Sequence, residues 1–198
     1  MKKPNNYDKA QEYTPAKKLP AGAYICQIMN VEEQTNDYGT KLILAFDIVE
    51  GEFKDFYKEQ YGSQTQEDKK WKGNFRIACP DDNAEENDWK LRMLKSSIHK
   101  FEDSNQGFHW DWDEQKLKGL KVGILVRDKE YDYEGRHGFW SEPFALIAVD
   151  DVKNGNFDVP ETKYLDANNN SNNASASTGD GFMNIPDNVD DGGLPFNF

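Results

Sequence analysis

The sequence predicts a mainly β domain: five short antiparallel strands closing into a small barrel, one helix between the third and fourth strands, and an acidic tail beyond it. Three observations predict this. Residues 41–49 alternate strictly, with Leu42, Leu44, Phe46 and Ile48 on one face. Leu91, Leu94, Ile98 and Phe101 recur at helical spacing. Residues 167–181 are Asn, Ser, Ala, Thr, Gly and Asp only, with nothing apolar enough to offset the entropy of ordering them.

In chain order, residues 23–34 open after Pro20-Ala21-Gly22 as the first strand, and Asn36-Asp37-Tyr38-Gly39 turns into the second over 41–49. After Gly51, residues 53–58 extend the sheet, and 74–79 resume it beyond a polar excursion. Pro80 stops that strand. Asp81, Asp82 or Asn83, with Glu85 or Glu86 three residues on, then reads as a helix start, and Gly107 lies past the helix end. Two further strands follow, 119–131 with Val122, Ile124 and Val126, and 138–149 with Phe144, Leu146 and Ala148. Five strands and one plugging helix in this order form the OB-fold arrangement, although an α+β roll with the helix across an open sheet has the same element order. The predicted division is a flexible arm over 1–18, the barrel over 19–152, a flexible linker over 153–186 and an acidic tip over 187–198.

The 198 residues carry 24 Lys plus Arg against 36 Asp plus Glu, a net charge of −12. A chain this acidic does not gather duplex DNA by bulk electrostatics, which leaves only local basic patches. Residues 1–152 hold 22 basic and 29 acidic side chains and 153–198 hold 2 and 7, so the last quarter has its own character. No apolar run reaches the roughly 18 to 20 residues of a membrane span, and Met1-Lys2-Lys3-Pro4 has no apolar stretch behind it. The expectation is a soluble protein that stays inside the cell. Cys26 and Cys79 are too few for a disulfide framework and lie in no zinc-ligand spacing.

Catalytic chemistry finds little support. His99, His109 and His137 are not spaced with other ligands, and Asp81, Asp82, Glu85 and Glu86 suit a helix N-terminus without any metal. No catalytic residue, metal or cofactor is expected, and the protein is read as a binder.

Rings interleaved with cations are more informative. Phe53, Phe56, Tyr57 and Tyr61 fall among Lys54 and Lys58, while Lys69, Lys70, Trp71, Lys72, Phe75 and Arg76 pack four cations around two rings. Arg127, Lys129, Tyr131, Tyr133, Arg136, His137, Phe139 and Trp140 form another cluster at the last hairpin. Single-stranded nucleic acid asks for this chemistry, because exposed bases stack on rings at about 1–3 kcal/mol each while cations hold the phosphates. Such rings are also good strand formers, so about half are expected in the core. The expected DNA contacts are Tyr38, Lys41, Phe56, Tyr57, Lys69, Lys70, Trp71, Lys72, Arg76, Arg127, Tyr131, Tyr133, Arg136, Phe139 and Trp140. Tyr38 and Lys41, at the first hairpin, are expected on the same groove as the others. The cations Lys90, Arg92, Lys95 and Lys100 read as a solvated helix face.

The carboxyl end sets Asp187, Asp190 and Asp191 before Leu194-Pro195-Phe196-Asn197-Phe198. An acidic run closing on a short apolar plug suits another protein's pocket with a cationic rim. Its expected partner-binding residues are Asp190, Asp191, Leu194, Pro195, Phe196 and Phe198.

These residues carry a resemblance. The acidic run before Leu194-Pro195-Phe196 is similar to the tip of bacterial single-stranded-DNA-binding proteins, except that Asn197 and Phe198 follow, so either Phe196 or Phe198 is the candidate anchor. The body, with Leu19-Pro20-Ala21-Gly22-Ala23-Tyr24 and Phe46-Asp47-Ile48-Val49-Glu50-Gly51-Glu52-Phe53, resembles a phage-borne family of OB-fold single-stranded-DNA-binding proteins from viruses of Gram-positive bacteria. That likeness spans about residues 13 to 150. It implies sequence-independent strand binding in phage replication or recombination, in the cytoplasm of an infected host. It also implies a tail that recruits helicases, nucleases, recombinases or polymerases, and it leaves self-association open. The rival readings are an acidic protein-binding module or DNA mimic, and a metal-dependent nuclease built on Asp81 to Glu86.

Overall fold

The computed structural model describes residues 2–9, 17–133 and 135–165. It is mainly β, with a five-stranded antiparallel sheet of order β3-β2-β1-β4-β5. The strands are β1 (Gly22–Asn36), β2 (Gly39–Ile48), β3 (Asn74–Ala78), β4 (Lys121–Tyr133) and β5 (Arg136–Ile147). Helix α1 (Phe56–Ser63) precedes β3, α2 (Trp89–Ser104) lies between β3 and β4, and α3 (Val149–Asn154) follows β5. The sheet is open. Its edges β3 and β5 approach within 8 Å, Cα to Cα, but share no ladder among the described residues.

The core lies where the alternating faces meet α2. Leu42, Leu44, Phe46 and Ile48 of β2 and Val122, Ile124 and Val126 of β4 are buried with Leu94, Ile98 and Phe101 of α2. Ile43, Ala45 and Asp47, on the other face of β2, are buried too, because β2 is covered on both sides. Met29 is an extra residue in β1 opposite β2, and Phe144 is one in β5 opposite β4. Such bulges sharpen twist and bend the strand. The second also accommodates Pro143, on an edge strand where a missing N–H is tolerated.

Two expected elements differ. The strand expected over 53–58 is instead the entry to α1. Asp47, buried in β2, explains the change: its Oδ1 accepts from the N–H groups of Ile48 (2.8 Å) and Tyr57 (2.9 Å), and its Oδ2 accepts from that of Lys58 (3.1 Å). A carboxylate from another strand therefore satisfies the first free N–H groups of the helix, which Asp55, at φ 61° and with no capping bond of its own, does not. The helix expected from Asp81 to Asn83 begins later. Asp88 is its N-cap, accepting from the Leu91 N–H at 3.0 Å, so α2 starts where its apolar stripe starts.

Close packing fixes the remainder. Gly73 lies against β2: a Cβ there would meet the Phe46 carbonyl oxygen at 2.4 Å and the Tyr57 ring at 2.8 Å. α3 packs on Gly123, where a Cβ would lie 2.6 Å from Val152. Because α3 spans 149–154, the chain stays on the fold past the boundary expected at 152. Further on, Lys163 pairs in parallel with Lys129 of β4, through Lys163 N–H to Asp128 carbonyl and Glu130 N–H to Lys163 carbonyl, both 2.8 Å. Residues 166–186 of the expected linker and the whole tip, with Asp190, Asp191, Leu194, Pro195, Phe196 and Phe198, lie outside the described residues.

Candidate nucleic-acid interface

β4 and β5 run past the end of β1 as a two-stranded ribbon, since β1 begins at Gly22 opposite Val126 while β4 continues to Tyr133. Residues 127–133 read Arg-Asp-Lys-Glu-Tyr-Asp-Tyr, and a strand sends alternate side chains to opposite faces. The sequence therefore sorts itself. One face carries Arg127, Lys129, Tyr131 and Tyr133, and the other Asp128, Glu130 and Asp132. Cross-strand pairing with β5 adds Trp140 opposite Lys129, Gly138 opposite Tyr131 and Arg136 opposite Tyr133 to the basic face.

On that face Tyr131 is 40% exposed, Tyr133 68% and Trp140 41%. Lys129 Nζ lies 5.6 Å from the Trp140 ring centre and 3.2 Å from Glu142 Oε1. Tyr131 lies across Gly138, where a Cβ would come 2.9 Å from the phenol oxygen, so the absent side chain makes room for the ring. Arg136 is exposed. Arg127 is 9% exposed, its Nε 2.7 Å from Glu142 Oε2 and its guanidinium 4.2 Å from the Phe144 ring centre. It serves the ribbon's base, and the expectation that it meets phosphate is corrected accordingly.

Phe139 belongs to the opposite face, as the neighbour of Trp140 must. Its ring, 38% exposed, is flanked by Lys18, 5.6 Å away, and by Tyr164, edge-on at 6.0 Å. Lys18 also pairs with Asp128 at 2.8 Å. Glu130 receives His137 Nε2 at 2.5 Å and the Leu165 N–H at 2.9 Å. Those two donors, the backbone one foremost, hold its carboxyl below the usual glutamate range. This acidic face fastens residues 18 and 163–165 to the ribbon.

The second expected cluster is largely interior. Tyr57 is 4% exposed and packs edge-on against Phe46 and Phe56, and burial pushes its phenol up. Trp71 is 3% exposed, with Nε1 donating to the carbonyls of Phe46 and Gly73 at 3.1 Å. Neither ring offers a face to a base, so both are corrected to core residues. Phe56 is half-buried between Phe53 and Tyr57. Lys69 Nζ lies over the Tyr61 ring at 5.7 Å, and the backbone of Lys70 is bracketed by the Gln64 side chain, which accepts from its N–H and donates to its carbonyl. Lys72 is exposed, and Arg76 is half-buried on β3 opposite Ile43.

Tyr38, 71% exposed, sits in the β1–β2 turn, which Asn36 Oδ1 closes by accepting the Tyr38 N–H at 3.0 Å. Lys41 follows on β2 opposite Gln34 and Ala78. The turn and the ribbon leave opposite ends of β1, so the groove expected to join them is two separate patches along that strand. The turn instead adjoins α2: a Cβ on Gly39 would lie 3.3 Å from Lys90 Nζ.

Among the described residues no group of three or more His, Cys, Asp or Glu is placed to hold a metal ion, and no helix is long and apolar enough to cross a membrane. Lys18, Tyr164 and the sorting of the ribbon's faces were missed in the sequence clusters; the strict alternation over 127–133 is the signal that carries the last. No family model matches the chain, and no curated protein matches it.

Proposed function

We propose that the protein binds single-stranded DNA without sequence preference, holding it on the basic, aromatic face of the β4–β5 ribbon. One observation carries this reading: a two-stranded projection sorts two tyrosines, a tryptophan, Lys129 and Arg136 to one face and Asp128, Glu130 and Asp132 to the other, with Glu142 at the base of the basic face paired to Arg127 and Lys129. Flat rings beside cations give an unpaired strand both stacking and phosphate contact, whereas a duplex hides its base faces. No step of bond making or breaking is assigned to the chain.

The same reading takes the fold as an OB-fold. Its support is β1 paired with both β2 and β4, the edge approach of β3 to β5, and α2 between β3 and β4. It also takes the chain as a phage protein of replication or recombination, acting in the host cytoplasm, with the acidic tip drawing in a helicase, nuclease, recombinase or polymerase. That part rests on the sequence resemblance.

The test is fluorescence anisotropy of labelled oligothymidine with duplex competitor. Binding at low salt that resists the duplex, with log affinity falling against log salt at a slope of about −3 for four phosphates, is the expected result. A folded protein that leaves oligothymidine free at low salt overturns the reading.

A further inference from the structure

The solvent face of α2 repeats the ribbon's chemistry at another place in the fold. Trp89, Arg92, Ser96 and His99 stand at i, i+3, i+7 and i+10, with Lys95 beside them, on the side of the helix away from buried Leu94, Ile98 and Phe101. Arg92, Lys95, Ser96 and His99 border one shallow, open stretch of surface. Trp89, 46% exposed, ends the stripe.

Two features bear on what this face can bind. No acid interrupts α2 between Trp89 and Phe101, in a chain whose net charge is −12. Among the described residues neither Arg92 nor Lys95 has an ion-pair partner, so no carboxylate already neutralises either charge. The position is also informative. Asn105, just past α2, bonds the backbone of Lys121 through both its amide nitrogen and its oxygen, so α2 ends at the start of β4, and thirteen residues, about 40 Å of strand, lead from there to the ribbon's tip. The α2 N-terminus adjoins the turn that carries exposed Tyr38.

We propose that the Trp89–Arg92–Lys95–His99 face of α2 is a second contact for the same single strand, engaged only by strands long enough to reach past the ribbon. Arg92 and Lys95 take phosphates, Ser96 and His99 offer hydrogen bonds to phosphate oxygens, and Trp89 takes a base. The ring on the stripe favours a nucleic acid strand over a free phosphate, which gains nothing from a flat apolar surface. This proposal rests on the single-strand reading above.

The test uses the full chain and two lengths of oligothymidine, about 8 nucleotides, within one domain's usual site, and about 40, well beyond it. The R92Q/K95Q variant is expected to bind the short strand like the unaltered protein. It should bind the long strand about tenfold more weakly, with a salt slope shallower by about 1.4 for two lost phosphate contacts. Trp89→Ala should also weaken long strands alone, while Trp140→Ala on the ribbon should weaken both. Arg92 and Lys95 are exposed, Trp89 and Trp140 are 46% and 41% exposed, and a melting curve checks the fold. A folded R92Q/K95Q protein with unchanged affinity and slope on the long strand overturns the proposal while leaving the ribbon reading intact. An unaltered protein that binds neither length removes both. If long-strand binding is unchanged but a synthetic peptide of residues 187–198 binds the unaltered protein and not the variant, the face serves an acidic peptide and the proposal is wrong.

Discussion

Lys129 Nζ stands 5.6 Å from the centre of the Trp140 ring, directly across the β4–β5 ladder, so one cation and one flat surface are presented side by side, the pairing that the proposed strand binding calls for. Trp71, the other tryptophan in the sequence clusters, is sealed inside with its indole nitrogen bonded to two carbonyls. Oligothymidine of about 8 nucleotides, confined to the ribbon, should therefore quench tryptophan fluorescence chiefly through Trp140. Trp140→Phe is expected to remove the largest share of the quenching, and Trp71→Phe to leave it in place. Undiminished quenching in the Trp140→Phe protein would take the strand off the ribbon.

Arg127 and Arg136 share a strand face but not a role. Arg136 is exposed at the tip, and Arg136→Ala should make the salt slope shallower by about 0.7, the contribution of one phosphate on a single strand, with little change in melting. Arg127→Ala removes a guanidinium held between Glu142 and Phe144. Because Lys129 still reaches Glu142, the cost is smaller than for an orphaned buried charge, about 1–3 kcal/mol. Salt-dependent anisotropy and thermal melting on the two variants separate these outcomes. An Arg127→Ala protein that melts normally but loses salt dependence would reverse the assignment.

Asp47 supplies acceptors to three backbone N–H groups, two of them at the start of α1. Burial pushes its carboxyl up, against the opposing pull of those bonds. Asp47→Ala leaves the donors unsatisfied in a closed site and should destabilise the fold by roughly 2–4 kcal/mol, read as a lower urea midpoint. Asp47→Asn keeps one oxygen for Ile48 and Tyr57 but turns an amide towards the Lys58 N–H, so it should recover part of that loss. Equal midpoints for Asp47→Ala and the unaltered protein would remove the capping role.

The same carboxylate marks where sequence reasoning stopped. β2 and the apolar stripe of α2 were legible because period-two and period-3.6 burial leave their mark in local order, and Leu42, Leu44, Phe46, Leu94 and Ile98 are where that order puts them. α1 was not legible: Phe53, Phe56 and Tyr57 look like strand residues, and the group that turns them into a helix lies ten positions back on another strand. The site divides in the same way. Alternation over 127–133 foretells the ribbon's sorted faces, whereas nothing local distinguishes Trp71, which closes the core beside Gly73, from Trp140, which remains half outside it. Tyr38 and Trp140 look like members of one groove only until register places them beyond opposite ends of β1.

Glu130 joins residues 163–165 to the ribbon, and its protonation should loosen that junction. The Leu165 N–H, then His137, hold its carboxyl below the ordinary 4.5, so the folded form gains from the ionised group. For a depressed carboxyl that gain is complete above the ordinary value and is lost as pH falls through the depressed one. The Leu165 amide resonance is therefore expected to move together with the Glu130 carboxyl signal as pH falls below about 4.5. At neutral pH, Glu130→Ala should expose the same segment, seen as faster tryptic cleavage after Lys163. The neighbouring backbone bonds of Lys163 remain in that variant, so the cleavage should stay local and the global melting temperature should change little. A Leu165 resonance indifferent to acid, or cleavage after Lys163 no faster in Glu130→Ala, would show that the segment is held by the Lys163 bonds and the Phe139–Tyr164 ring contact alone.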